Sequence, residues 1–205
     1  MDIEGDVNAR AAAIAVVSDP RELGARATGD PEATVRSVAL ATLVRTAPRR
    51  VSAPVWRRAA HDPDARVRRR AAEVAPKLGL AATCAVLIEL LADSDAWVAE
   101  AAAYAIGEHP RASRAAITAL SRAAADHADP LVREAAVAGL GAQGDPVTLA
   151  VVLAACSDKP AIRRRAVLAL AAFEGDEVEA QLRAALDDPD WQVRQAAEDL
   201  LNIAP

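Results

Sequence analysis

Asp62-Pro63-Asp64-Ala65-Arg66-Val67-Arg68-Arg69-Arg70-Ala71-Ala72 is the stretch that decides the fold. Asp-Pro is a helix-start signal, because an Asp side chain caps a helix N-terminus and Pro suits the first helical position. Val67, Ala71 and Ala75 then follow at intervals of four and so share one face of a helix. The same arrangement recurs along the chain. Anchors at Val35, Val67, Val98, Val132, Ile162 and Val193 are separated by 32, 31, 34, 30 and 31 residues. Four positions after each anchor stands Ala39, Ala71, Ala102, Ala136, Ala166 or Ala197, and eight after stands Leu43, Ala75, Ile106, Leu140, Leu170 or Leu201. Six copies in register, at a period of about 30 residues, mark a stacked repeat architecture.

Two polar columns accompany the apolar face. One position after the anchor lie Arg36, Arg68, Arg133, Arg163 and Arg194, with Ala99 the exception. A few residues before it lie Asp30, Asp62, Asp93, Asp129, Asp158 and Asp188, followed directly by Pro31, Pro63, Pro130 and Pro189 in four copies. This Asp is expected to cap the second helix of each copy, with Pro at the first helical position. First helices are expected over residues 20–28, 52–61, 81–92, 111–127, 145–156 and 176–187, with 4–17 as a capping helix. Turn signals at Gly79, Gly107 to Pro110, Gly141 to Pro146 and Gly175-Asp176 separate the units. One helix pair cannot bury its apolar face alone but can by stacking, so residues 1–205 are expected to form a single all-α solenoid domain. Its repeats run over about 20–46, 52–78, 81–107, 111–142, 145–173 and 176–203.

Composition agrees. About a quarter of the residues are Ala and the aromatics make 2%, which suits thin, closely packed helical layers better than a bulky globular core. Cys84 and Cys156 stand 72 residues apart in separate repeats and are read as buried thiols rather than a disulfide. The N-terminus, Met1 to Asp6, is acidic and unlike a signal peptide. The longest apolar stretch, Leu78 to Ala92, is shorter than a membrane span and contains Glu89. A cytoplasmic protein without a membrane segment is the expectation.

The pattern Asp-Pro-x-x-x-Val-Arg-x-x-x-Ala, seen in Asp30 to Ala39 and Asp62 to Ala71, resembles the HEAT-repeat family, particularly its short variety of the phycobilin-lyase type. The resemblance covers residues 20 to 203. It implies a right-handed α-α superhelix with first helices on the convex side and second helices lining a concave surface. It also implies that the Asp and Arg columns form a ladder joining neighbouring repeats, through Asp30, Arg36, Asp62, Arg68, Asp129, Arg133, Asp158, Arg163, Asp188 and Arg194. Some enzymes resemble the same family. The diiron deoxyhypusine hydroxylases need paired His-Glu motifs, where this chain has Arg133-Glu134-Ala135-Ala136 and Arg68-Arg69-Arg70-Ala71. The motif of the phycobilin lyases is largely the repeat itself. Alkylpurine DNA glycosylases use a basic, aromatic-lined groove, whereas here the basic repeats lie at one end only.

No catalytic, cofactor or metal site is expected. His61, His109 and His127 lack the short spacing of a metal-binding helix pair, and there is no phosphate-binding Gly-rich loop or nucleophile elbow. Charge, by contrast, is strongly partitioned. Residues 36–77 carry 11 basic and three acidic side chains, and the remainder carries 13 and 26. Within that remainder, residues 174–199 carry nine acidic and two basic groups. Arg outnumbers Lys 22 to 2, which suits bidentate pairing with carboxylates, although a GC-rich genome gives the same bias. The second, sixth and ninth positions after each anchor are expected to face away from the core. They include Ser37, Ala41 and Val44; Arg69, Glu73 and Pro76; Glu100, Tyr104 and Gly107; and onward to Gln195, Asp199 and Asn202. Trp56, Trp97 and Trp191 are read as packing residues between repeats. The expected function is a non-enzymatic adaptor that holds a protein partner, with Arg57, Arg58, Arg66, Arg69 and Arg70 steering an acidic segment. Glu100, Tyr104, Glu134 and Arg164 are its expected central contacts. A nucleic-acid-binding protein related to the alkylpurine DNA glycosylases is the second expectation, and a phycobilin-lyase-like enzyme the third.

Overall fold

The computed structural model describes residues 3–78, 83–110 and 112–203. Expected boundaries at residues 81 and 111, the turn at Gly79 and the side chain of Asn202 lie outside the described residues. Among these residues the chain is all α-helix, with short 3-10 turns and no strand. A leading helix, α1 (Ile3–Ala15), precedes six pairs. First helices are α2 (Pro20–Gly29), α4 (Ala53–Ala60), α6 (Thr83–Leu90), α8 (Arg114–Asp126), α10 (Leu149–Ala155) and α12 (Asp176–Ala185). Second helices are α3 (Ala33–Thr46), α5 (Ala65–Val74), α7 (Ala96–Gly107), α9 (Pro130–Gln143), α11 (Pro160–Ala169) and α13 (Trp191–Ile203). No helix among the described residues is long and apolar enough to cross a membrane.

Backbone contacts divide the chain into two compact units, residues 1–105 and 106–205. In the first, α2 packs on α3, α4 on α5, and α3 lies between α1 and α5. In the second, α8 packs on α9, α11 lies between α9 and α13, and α12 packs on α13. The six anchors and six alanines of the repeat are all buried, at no more than 1% exposure. The single methyl of alanine at the fourth position lets helix backbones approach, and the anchor and eighth positions fill the space on either side.

The ninth positions depart from expectation in part, since Ala171 is exposed while Pro76 and Gly141 are half-buried. Val44 and Gly107 are buried, because a second helix is flanked by neighbours on two sides and leaves only a narrow stripe to solvent. Closeness there is extreme in the second unit. A Cβ added at Gly107 would stand 2.6 Å from the Gly139 Cα, and one at Gly141 would stand 2.7 Å from the Ala169 Cβ. Gly107 and Gly141, read as turn signals, are therefore contact points between helices, whereas Gly144 and Gly175, at φ of 60° and 124°, do stand at turns.

Helix starts also differ from the expected scheme. Only at Asp129-Pro130 does the recurring Asp cap its helix, accepting from the Leu131 N–H with Pro130 in the first turn. Asp30, Asp62, Asp93 and Asp188 lie too early. Each accepts the N–H two residues on, from Glu32, Asp64, Asp95 and Asp190, and so sets the turn before the helix. The capping then falls to Asp64, Asp95 and Asp190, which accept from Arg66, Trp97 and Gln192. Two carboxylates at every such junction free the first to face the neighbouring repeat.

The tryptophans divide. Trp56 is buried and its Nε1 donates to the Ala71 carbonyl at 2.8 Å, pinning α4 to α5. Trp97 and Trp191 are 54% and 65% exposed, so neither is a buried packing residue as expected, although the Trp97 ring meets Arg69 of the preceding repeat. They stand one and two positions before their anchors, on the solvent side of the helix start.

Candidate functional site

The polar columns resolve into a repeated geometry. Arg36 donates from Nε and Nη2 to the two oxygens of Asp62 at 2.7 Å each, while its Nη1 donates to the carbonyls of Asp30 and Pro31. Arg68 does the same with Asp93, Asp62 and Pro63. In the second unit Arg133 pairs with Asp158, and Arg163 with Asp188. Each guanidinium thus spans its own turn and the turn of the next repeat, in bidentate form. These bonds hold the carboxyls of Asp93, Asp158 and Asp188 below the usual Asp range, against the opposing pull of burial.

The ends and the middle of the column differ. Burial pushes the Asp30 carboxyl up, but the Glu32 N–H and the guanidiniums of Arg10 and Arg26 outweigh it and hold the carboxyl low. Arg10 and Arg26 carry no mark of the repeat in the sequence. Among the described residues Arg194 donates to the carbonyls of its own turn alone, Asp188 and Pro189. Asp129 serves as a cap, and the ladder place in its repeat belongs to His127. The His127 carbonyl accepts from Arg133, and its Nδ1 accepts from the Asp129 N–H. In the sequence register the Arg column has Ala99 where His127 would be its partner, so both members of that pair are replaced together. Gln143, missed in the sequence, donates to the carbonyls of Ile106, Gly107 and His109 and closes the end of α7.

Of the expected partner-binding residues, Arg66, Arg69 and Arg70 come together. They line a cavity of about 430 Å³ between α3 and α5, with Thr34, Ser37, Val38 and Glu73. Arg69 Nε lies 3.0 Å from Glu73 Oε1, and Arg70 Nη1 pairs with the other oxygen of the same carboxylate. Arg66 is held by Asp64 at 2.8 Å and reaches the Thr34 hydroxyl at 3.3 Å. Arg69 also lies over the Trp97 ring, 5.4 Å from its centroid. The Arg70 Nε is buried and has no hydrogen-bond acceptor. The pairing with Glu73 was missed in the sequence, where its spacing of three and four residues is the signal that could have found it.

Arg57 and Arg58 are exposed on the first helix α4. Arg58 lines a different hollow, with Thr28, Asp30, Arg36 and His61, and donates to the Thr28 carbonyl. The basic run of the sequence is thus two patches. Tyr104 is 37% exposed on α7, and Glu100 is half-buried. Glu134 is half-buried and lies 3.5 Å from Arg165, and Arg164 is half-buried on α11. Cys84 is buried and forms no disulfide, and burial pushes the half-buried Cys156 thiol up to about 11. Among the described residues no three His, Cys, Asp or Glu side chains are grouped as metal ligands.

The HEAT-repeat profile matches residues 20–107, 86–160 and 117–202, nearly the full span of the helix pairs. The chain belongs to the HEAT-repeat family. Among curated proteins the HEAT chain has no match. Solved structures share its fold. Escherichia coli YibA superposes with a TM-score of 0.66 at 21% identity, covering 90% of this chain and 68% of that one. A designed armadillo repeat protein in complex with the peptide (KR)4 gives 0.58 at 16% identity, covering 94% and 97%. An engineered protein gives 0.57 at 18%, covering 96% and 95%.

Proposed function

We propose that this HEAT-repeat chain is a non-enzymatic interaction module that binds an acidic segment of a protein partner on the exposed face of its second helices. The observation that carries the reading is the cavity between α3 and α5, where three guanidinium groups converge on one open hollow. Such a surface is preformed, so a partner segment gains contacts without waiting for the receptor to order. The designed armadillo repeat protein of similar fold is in complex with a basic peptide, (KR)4; the arginines of this hollow call for an acidic segment instead. In the first unit Tyr104 and Glu100 are further proposed contacts on α7, and in the second unit Glu134 and Arg164 are proposed contacts on α9 and α11.

Fluorescence anisotropy with labelled, otherwise degenerate peptide pools tests this. A pool rich in Asp and Glu is expected to bind more tightly than neutral or Lys-rich pools. Arg66, Arg69 and Arg70 changed together to Glu should abolish the preference, while Arg57→Glu with Arg58→Glu leaves most of it. Equal binding of all pools to the folded protein contradicts the reading. Tighter binding of duplex DNA, with affinity falling steeply as salt rises, would replace it with a nucleic-acid function.

A further inference from the structure

The basic hollow already contains an anion. Glu73 places one carboxylate between Arg69 and Arg70, while Asp64 occupies Arg66 from the rim. Three guanidiniums and one carboxylate line the cavity, and the hydroxyl-bearing Thr34 and Ser37 lie on its opposite wall. Even so, Arg70 keeps a buried Nε without an acceptor. Glu73 therefore engages the arginines without satisfying them.

The resident carboxylate sets a condition on any ligand. An incoming Asp or Glu side chain would exchange one monoanionic carboxylate for another, and Glu73, tethered to the same helix, gives up no translational freedom by staying. A ligand displaces it only by offering more charge and more acceptors. A phosphoryl monoester carries about −1.5 to −2 charges near neutral pH and three strong acceptor oxygens. Two of its oxygens suit the paired guanidiniums of Arg69 and Arg70, and the third suits a hydroxyl or Arg66. The Trp97 ring lies beneath Arg69, 5.4 Å from the guanidinium carbon, and adds a cation–π attraction at the edge of the hollow. We propose that the hollow formed by Arg66, Arg69, Arg70, Thr34 and Ser37 binds a phosphoserine or phosphothreonine of a partner protein, with Glu73 as the built-in anion that it displaces.

The proposal rests on the segment-binding reading and names the group that anchors the segment. A nucleic-acid backbone fits the site less well. Its phosphodiesters carry one charge each and need a stripe of cations, whereas the position on α7 in register with Ser37 and Arg69 is Glu100. The hollow is a point receptor for one highly charged group.

Three degenerate peptide pools, alike except for phosphoserine, Glu or Ser at the central position, are titrated into the full chain by anisotropy. The phosphoserine pool is expected to bind about tenfold more tightly than the Glu pool, through the added charge and acceptors. Arg70→Met, which keeps an unbranched stem, should remove that advantage. Glu73→Gln should move the other way, tightening phosphoserine binding about three- to tenfold, in line with the loss of two surface-type ion pairs. Opposite shifts at neighbouring residues separate a binding role from a purely structural one. If Arg70→Met proves unfolded by circular dichroism, Glu73→Gln alone decides. Unchanged or weaker phosphoserine binding in Glu73→Gln overturns the proposal. Equal affinity for the Glu and phosphoserine pools overturns it too, yet leaves the acidic-segment reading standing. If no pool binds, both fall. Competition by duplex DNA at equal phosphate concentration also overturns it.

Discussion

Asp93 joins two tasks in one carboxylate. Its Oδ2 accepts from Arg68 Nε, and its Oδ1 accepts from Arg68 Nη2 and from the Asp95 N–H. The first bonds link one repeat to the next, and the last sets the turn that launches α7. Asn at this position keeps the turn acceptor but loses the charge and half of the fork. Because the pair is nearly buried, at 18% and 9% side-chain exposure, water replaces little of what is lost. Asp93→Asn is expected to cost about 2–3 kcal/mol, between the values for exposed and fully buried pairs. Urea unfolding measures this, and a loss under about 0.5 kcal/mol would place the ladder among surface ion pairs of little consequence. Peptide binding at the α3–α5 hollow should be unchanged, since Asp93 does not line it.

At the scale of the helix, the contacts are governed by what is missing from them. Ala166 is fully buried on α11, and Ala169 on the same helix sits against Gly141 of α9. Added methylenes there have nowhere to go without separating the helices. Ala166→Leu and Gly141→Ala are each expected to lower stability by about 1–3 kcal/mol, the usual cost of overpacking. Ala184→Leu, exposed on α12, is the control and should leave the melting temperature within a degree or two of wild type. Unchanged melting in Ala166→Leu would mean that the small-residue face is not a close contact. This face was the most legible part of the sequence, because packing imposes the 3.6-residue period directly on residue type. The Arg36–Asp62 and Arg163–Asp188 rungs were legible for a related reason, as columns at constant offset. What escaped was whatever depends on the neighbour across a contact. Gly107 faces the second helix α9 at Gly139, and Val44 is buried, neither of which a periodicity within α7 or α3 can reveal. Asp129 and His127 exchange roles through a two-residue shift that the Asp-Pro pair conceals. The run from Arg57 to Arg70 looks continuous in sequence, but the chain turns between α4 and α5 and sends its halves to different surfaces.

Over the whole molecule the ladder makes stability depend on acid in a defined direction. Carboxyls held below the ordinary value of 3.8 occur at Asp30, Asp64, Asp93, Asp158 and Asp188, and so in both units. A carboxyl whose value is lower folded than unfolded contributes stability above the unfolded value and loses it as pH falls through the folded one. Stability should therefore be nearly level between about pH 5 and 7 and fall with increasing steepness below about pH 4. His61 acts in the opposite sense. The Arg57 carbonyl and then the Glu89 carboxylate raise it above 6.5, so its contribution is present below that value and fades as pH rises through the folded one. Being exposed, it tilts the profile only slightly. Urea midpoints measured from pH 3 to 8 test the scheme, with Asp93→Asn combined with Asp188→Asn as the diagnostic variant. Removing two of the five depressed carboxyls must flatten the acid limb as well as lower the plateau. An acid limb as steep as that of the wild type would assign the acid sensitivity to general charge repulsion and take it away from the ladder.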